Sequence, residues 1–302
     1  MPGFSDRKQP LHGKGRSFLN KGRPFFEGRR IIVNKRTGFT LIELLVVISI
    51  IALLVSILVP ALSKAKEQAK AAVCLSNIHQ WGVIWNMYID DHKSRFILMD
   101  DNGELAPGGL DWLEPLEPYY IEKDILLCPS AAKPMYGEDR GRKFRAWHED
   151  DNGNGVVDPG ELIGSYGINY WITHSTEGGR INEYLWKTPY TKGVAYAPMF
   201  FDCTVSGNCP LHADRPPAYD GQIYTSHPGD IDEMRACCVN RHIEHINMAF
   251  LDFSARKVGL KELWELKWHR KWNVNNNPPP DFCTVSANYD GWMCYMKDYA
   301  GI

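Results

Sequence analysis

From residue 44 to residue 63 the chain carries no charged side chain. Twenty such residues rise about 30 Å as a helix, the thickness of a bilayer's hydrocarbon core. A helix buried in a globular core is more amphipathic than this, so the run reads as a membrane span. Net charge is equally scarce, at −2 over 302 residues, but the balance hides an asymmetry. In the first 36 residues ten Lys or Arg stand against Asp6 and Glu27, and the remainder is acidic. That front segment is rich in Gly and Pro and has no apolar periodicity, so it is expected to be an unstructured basic leader. An acidic remainder argues against a nucleic-acid partner. Positive charge ahead of the span predicts a cytoplasmic N-terminus, with everything after about Lys64 across the membrane.

Other absences narrow the chemistry. There is no G-x-S-x-G elbow, phosphate loop, dinucleotide fingerprint or internal repeat, and no two cysteines have C-x-x-C spacing. The chain is therefore not expected to be an enzyme, and its eight cysteines read as structural disulfides of an oxidising compartment ahead of metal or redox chemistry. Cys203 with Cys209 and Cys283 with Cys294 are the local candidates, and Cys74 with Cys128 would tie helix to head. Other pairings remain open.

The span, "GFTLIELLVVISIIALLVSILVPAL", is longer than the apolar region of a secretory signal peptide and runs into "SKAKEQAK", not a small-x-small cleavage site. A plain anchor leaves Glu43 unexplained. A carboxylate costs roughly 2.5–3.5 kcal/mol at the bilayer centre and less near the end, and it usually has a partner. The stretch "KRTGFTLIELLVVISIIALLVSILVPAL" resembles the N-terminus of type IV prepilins and type II secretion pseudopilins, over roughly residues 35–91. The resemblance implies cleavage by prepilin peptidase after Gly38, removing residues 1–38 as the leader, N-methylation of Phe39, and pairing of Glu43 with the terminal amine of a neighbouring pilin-like subunit during assembly. Such a pair makes the buried carboxylate tolerable. Pro60 lies where that family often has a proline, permitting a bend.

Beyond Pro60 the helix is predicted to continue to about residue 90, on the order of 75–80 Å in all. Cys74, Ile78, Trp81, Trp85 and Tyr88 form one apolar stripe at helical spacing. The expected fold is α+β and pilin-like: residues 39–90 form a long helix with its span at about 41–62, packed on a small antiparallel sheet with loop insertions in a head of residues 91–302. Strand character appears at 164–172, 194–202 and 246–259, and a short amphipathic helix is expected within 259–272. His242 and Asp252 have the spacing of a His-x9-Asp-Gly motif found in a large bacterial pilin-like family, with Phe253 in place of the glycine. The two histidines of "RHIEH" lead into a strand and not along a helix, so His242 is expected to be structural.

"DDNGNGVVDPGE" has the donor spacing of a calcium loop at 150–161: Asp150, Asn152, Asn154, Val156 through its carbonyl, Asp158 and Glu161, with a glycine at the turn. One Ca2+ is the expected cofactor. The expected function is a prepilin-like structural subunit of a type IV pilus or type II secretion pseudopilus-like filament. Its place would be the bacterial inner membrane, single-pass, with the head periplasmic or surface-exposed. The rival is a membrane-anchored, calcium-dependent binding module that forms no filament and uses Trp264, Trp268, Trp272 and Trp292 as an exposed aromatic face.

Overall fold

The computed structural model describes residues 38–99, 112–134, 143–148, 154, 156–158, 161–175, 180–222, 232–273, 279–283 and 291–296. One helix, α1, runs Leu41–Asp91 and passes through Pro60. The chain divides within it into two compact units, one ending at Leu54 and the other running Val55–Ile302.

Within the second unit the predicted stripe is the packing face. Cys74, Ile78, Trp81, Trp85 and Tyr88 are all buried in one hydrophobic cluster. They lie against a five-stranded sheet in the order β10-β9-β7-β5-β8. Its strands are β5 (Tyr166–Asn169), β7 (Pro198–Asp202), β8 (Gly207–Asn208), β9 (His245–Phe250) and β10 (Ala255–Gly259). All its pairs are antiparallel except β5 with β8. Short strands β1 (Leu98–Met99) and β6 (His174–Ser175) pair in parallel, and β2 (Lys133–Pro134), β3 (Arg145–His148) and β4 (Ile163–Gly164) form a third sheet. The architecture is α+β and consistent with a pilin-like fold, with mixed sheets where a wholly antiparallel one was expected.

Both faces of the central sheet are covered, so its inner strands are buried end to end. Alternation sorts the side chains: Phe200 and Ala249 join the helix-side cluster, whereas Phe201, Met248 and Phe250 join a second cluster with Leu263, Trp264 and Trp268. A register shift between Pro198 and Phe200 puts Met199 on the helix side as well. Trp81 sits among Trp112, Tyr120 and Phe200 at centroid distances of 5.1, 5.1 and 5.2 Å, and its Nε1 donates to the Ile125 carbonyl at 2.8 Å.

The hairpin at 246–259 forms as expected. Phe253, where the motif has glycine, adopts φ 64°, so the left-handed turn persists without its favoured residue. Gly82 faces that turn, and a Cβ there would lie 3.2 Å from the Phe253 carbonyl oxygen. The helix expected within 259–272 shortens to a 3-10 turn, Lys261–Trp264. The amides of Lys267 and Arg270 bond the Tyr196 and Tyr184 carbonyls, leaving no helical ladder there. Trp264, Trp268 and Trp272 are buried and Trp292 is half-buried, so the aromatic face expected of a binding module does not exist.

Candidate processing and assembly site

The start of α1 is capped from both sides. Thr40 is the N-cap: its hydroxyl accepts from the Glu43 amide at 3.3 Å, and the Glu43 Oε2 accepts from the Thr40 amide at 2.8 Å and from its hydroxyl at 2.9 Å. This reciprocal Thr-x-x-Glu arrangement is a capping box, which satisfies two of the amides a helix start leaves free. The box is legible in "TLIE", where Thr40 and Glu43 have the capping-box spacing. Gly38 and Phe39 precede the helix, and both are exposed. Among the described residues, nothing lies within 4 Å of where a Gly38 Cβ would be. Every residue from 41 to 62 is also exposed. The helix is long and apolar enough to cross a membrane, and none of its most apolar window is buried in protein.

The other predicted residues fall into two groups. Of the calcium-loop set, Asp150 and Asn152 lie outside the described residues. Asn154 Oδ1 accepts from the Val156 amide and Asn154 Nδ2 donates to Asp158 Oδ2, both at 2.6 Å, and Glu161 Oε2 accepts from the Asp158 amide at 2.7 Å. Of the cysteines, Cys283 and Cys294 are bridged. Cys203 and Cys209 are not, contrary to expectation: Cys203 Sγ turns to the Ala236 carbonyl at 3.3 Å, and the Cys209 amide, just past β8, bonds the Glu233 carboxylate.

Cys74 and Cys128 do meet, also as thiols and not as the expected disulfide. They share a buried pocket with Asp202 and His242, and the four ligand atoms lie within 4.8 Å of one another. Cys74 Sγ is 3.4 Å from both Asp202 oxygens, Cys128 Sγ is 3.3 Å from His242 Nε2, and His242 Nε2 is 3.2 Å from Asp202 Oδ2. Arg241 closes one side, donating to Asp202 Oδ1 and to the Lys143, Ser165 and Cys203 carbonyls. Burial works against a charge on Asp202, but His242, Arg241 and the Asn247 amide outweigh it and hold the carboxyl below its usual range. Burial likewise opposes a thiolate at Cys128, yet hydrogen bonds from Cys74 and His242 bring it down to about 6, while burial pushes Cys74 up. His242 thus lies in a buried ionic cluster with Asp202 and Arg241, neither of which had a signal in the sequence.

An exposed glycine, a capped helix start and an unburied apolar helix long enough to cross a membrane are consistent with a pilin-like protein. Residues 33–59 match the family model described as the prokaryotic N-terminal methylation motif. Comparison with curated proteins and with solved structures returns no match. The matched segment makes the chain prepilin-like, of the kind processed by prepilin peptidase.

Proposed function

We propose that the chain is a structural, non-enzymatic subunit, cut between Gly38 and Phe39, methylated on Phe39, and built into a type IV pilus or type II secretion pseudopilus-like filament by stacking of its N-terminal helix. The observation that carries this is the methylation motif lying over a helix long and apolar enough to cross a membrane. An uncovered apolar surface of this size is stable only in lipid or against other helices. In this reading the protein waits in the bacterial inner membrane with its head in the periplasm. Glu43 then exchanges its local bonds to Thr40 for the amine of a neighbouring Phe39. We also propose that segment 150–161 takes one calcium ion, which the donor spacing supports.

The capping box lets the assembly role be tested apart from helix stability. Thr40→Ala and Glu43→Ala each remove half of the box, worth about 1 kcal/mol of local helix stability. If Glu43 only caps, the two variants lose filament incorporation equally in a shear-and-pellet assay. The proposal expects Glu43→Ala to lose it and Thr40→Ala to keep most of it.

A further inference from the structure

We infer that Cys74, Cys128, Asp202 and His242 form a closed structural site for a zinc-class divalent cation that fastens α1 to the sheet. Ligands held tetrahedrally at zinc's usual bond lengths stand about 3.3–3.8 Å apart. The contacts here are 3.4 Å between Cys74 Sγ and Asp202, 3.3 Å between Cys128 Sγ and His242 Nε2, and 3.2 Å between His242 Nε2 and Asp202 Oδ2. The remaining pairs lie within 4.8 Å. Three of the six edges of this four-atom group thus already stand at about the tetrahedral length, the other three lie within 4.8 Å, and all four residues are buried.

Each ligand comes from a different part of the fold and is held there by other bonds. Cys74 is on the buried face of α1, and beside it Asn247 of β9 donates to the Ala71 carbonyl at 3.0 Å. Cys128 follows the 3-10 turn Lys123–Leu126, whose last carbonyl takes the Ser165 amide at 3.0 Å. Asp202 ends β7, and its Oδ2 takes the Asn247 amide at 2.9 Å. His242 precedes β9; its Nδ1 has no hydrogen-bond partner among the described residues, but its Nε2 faces the group and its amide donates to the His245 carbonyl at 3.3 Å. Such outer contacts are what fix ligand positions in metal sites.

Donor type and charge agree. Two thiols, an imidazole and a carboxylate suit zinc or cobalt, not calcium or magnesium. On binding, the metal takes the place of the protons held by the two sulfurs and by His242 Nε2, which leave to solvent, so that neutral imidazole and thiolates coordinate. The dication, two thiolates and one carboxylate then carry one net negative charge, which the buried Arg241 guanidinium beside Asp202 cancels. All four protein positions are filled and buried, so the site has no open coordination place for chemistry and acts as a joint. A Cys74–Cys128 disulfide would use the same sulfurs but leave the imidazole and carboxylate without a role in holding the helix.

The test uses the full chain, purified in detergent without reductant or chelator. Zinc content should be about one equivalent per chain. Replacing zinc by Co2+ should give the strong visible absorption of a tetrahedral thiolate-bound ion, and Cys74 and Cys128 should resist alkylation until a chelator is added. Cys128→Ser and Asp202→Asn should lose the Co2+ spectrum, and Cys209→Ser should keep it. The wild-type chain decides the matter even if a variant does not fold. Zinc below about a tenth of an equivalent with weak, octahedral Co2+ absorption overturns the inference. So does a Cys74–Cys128 disulfide in a non-reducing peptide map, or a Co2+ spectrum unchanged in Cys128→Ser.

Discussion

His269 is buried, and neither ring nitrogen has a hydrogen-bond partner. It stands among aromatic rings, with Tyr184, Trp272 and Trp171 at centroid distances of 4.7, 5.2 and 5.4 Å. Burial, helped by nearby His212, pushes its pKa from 6.5 down to about 4. Below pH 6.5 the unfolded chain takes up a proton that the folded chain refuses, so stability is full above that pH and falls as pH drops towards 4. His269→Phe removes the orphaned nitrogens and keeps a ring in the space. It should raise stability by about 1–3 kcal/mol at neutral pH. It should also flatten the loss between pH 6.5 and 4, as read by thermal melts of the full chain in detergent. A steeper acid loss in the variant would contradict this. Sequence pattern gives no access to such a residue. His269 looks like any polar residue in "KWHRKW", and only the fold surrounds it with rings.

At the scale of elements, periodicity made α1 and its stripe readable, because one face of a helix repeats every three or four residues whatever it packs against. The hairpin was readable for the same reason, with period two. What it packs against was not. The ligand atoms of Cys74 and Asp202 come together across 128 residues, and those of Cys128 and His242 across 114. The segment at 259–272 misled because a helical pattern of apolar residues also arises where a turn folds its indoles into a core. Trp268 Nε1 reaches back to the Leu263 carbonyl and Trp264 Nε1 reaches the Asp214 carbonyl. The fit between α1 and the β9–β10 turn supplies a second prediction. Gly82 leaves a Cβ only 3.2 Å from the Phe253 carbonyl, so Gly82→Leu must push the turn away from the helix. A cost of about 1–3 kcal/mol in a thermal melt is expected, and a melt unchanged or raised would show that the approach is not tight. The 150–161 loop supplies a third. If it takes calcium, adding the ion at about 100 times its dissociation constant should stabilise the chain by about 2.7 kcal/mol. Glu161→Ala should abolish that gain, and an equal response in the variant would place the ion elsewhere.

At the scale of the molecule, the charge asymmetry and the uncharged run carried most of what was legible. Ten basic residues against two acidic ones precede a span that the structure leaves without protein cover. Residue patterning can report a membrane span and a cleavage motif because both are read locally, by a bilayer and by a peptidase. The capping box is legible in "TLIE", and the proposed assembly role would be a second use of the same carboxylate, towards a terminus that would exist only after cleavage. In the intact chain Glu43 is bonded to Thr40. In the proposed processing, cutting the bond after Gly38 would place a new amine on Phe39, four residues from that carboxylate. The measurement that bears most directly on this account is mass spectrometry of the mature N-terminus, from cells that express prepilin peptidase and the full chain. The account predicts a chain that begins at a singly methylated Phe39, and accumulation of the uncut form when Gly38 is replaced by a bulky residue. A mature chain that retains the residues ahead of Gly38, or one cut elsewhere and unmethylated, would contradict it.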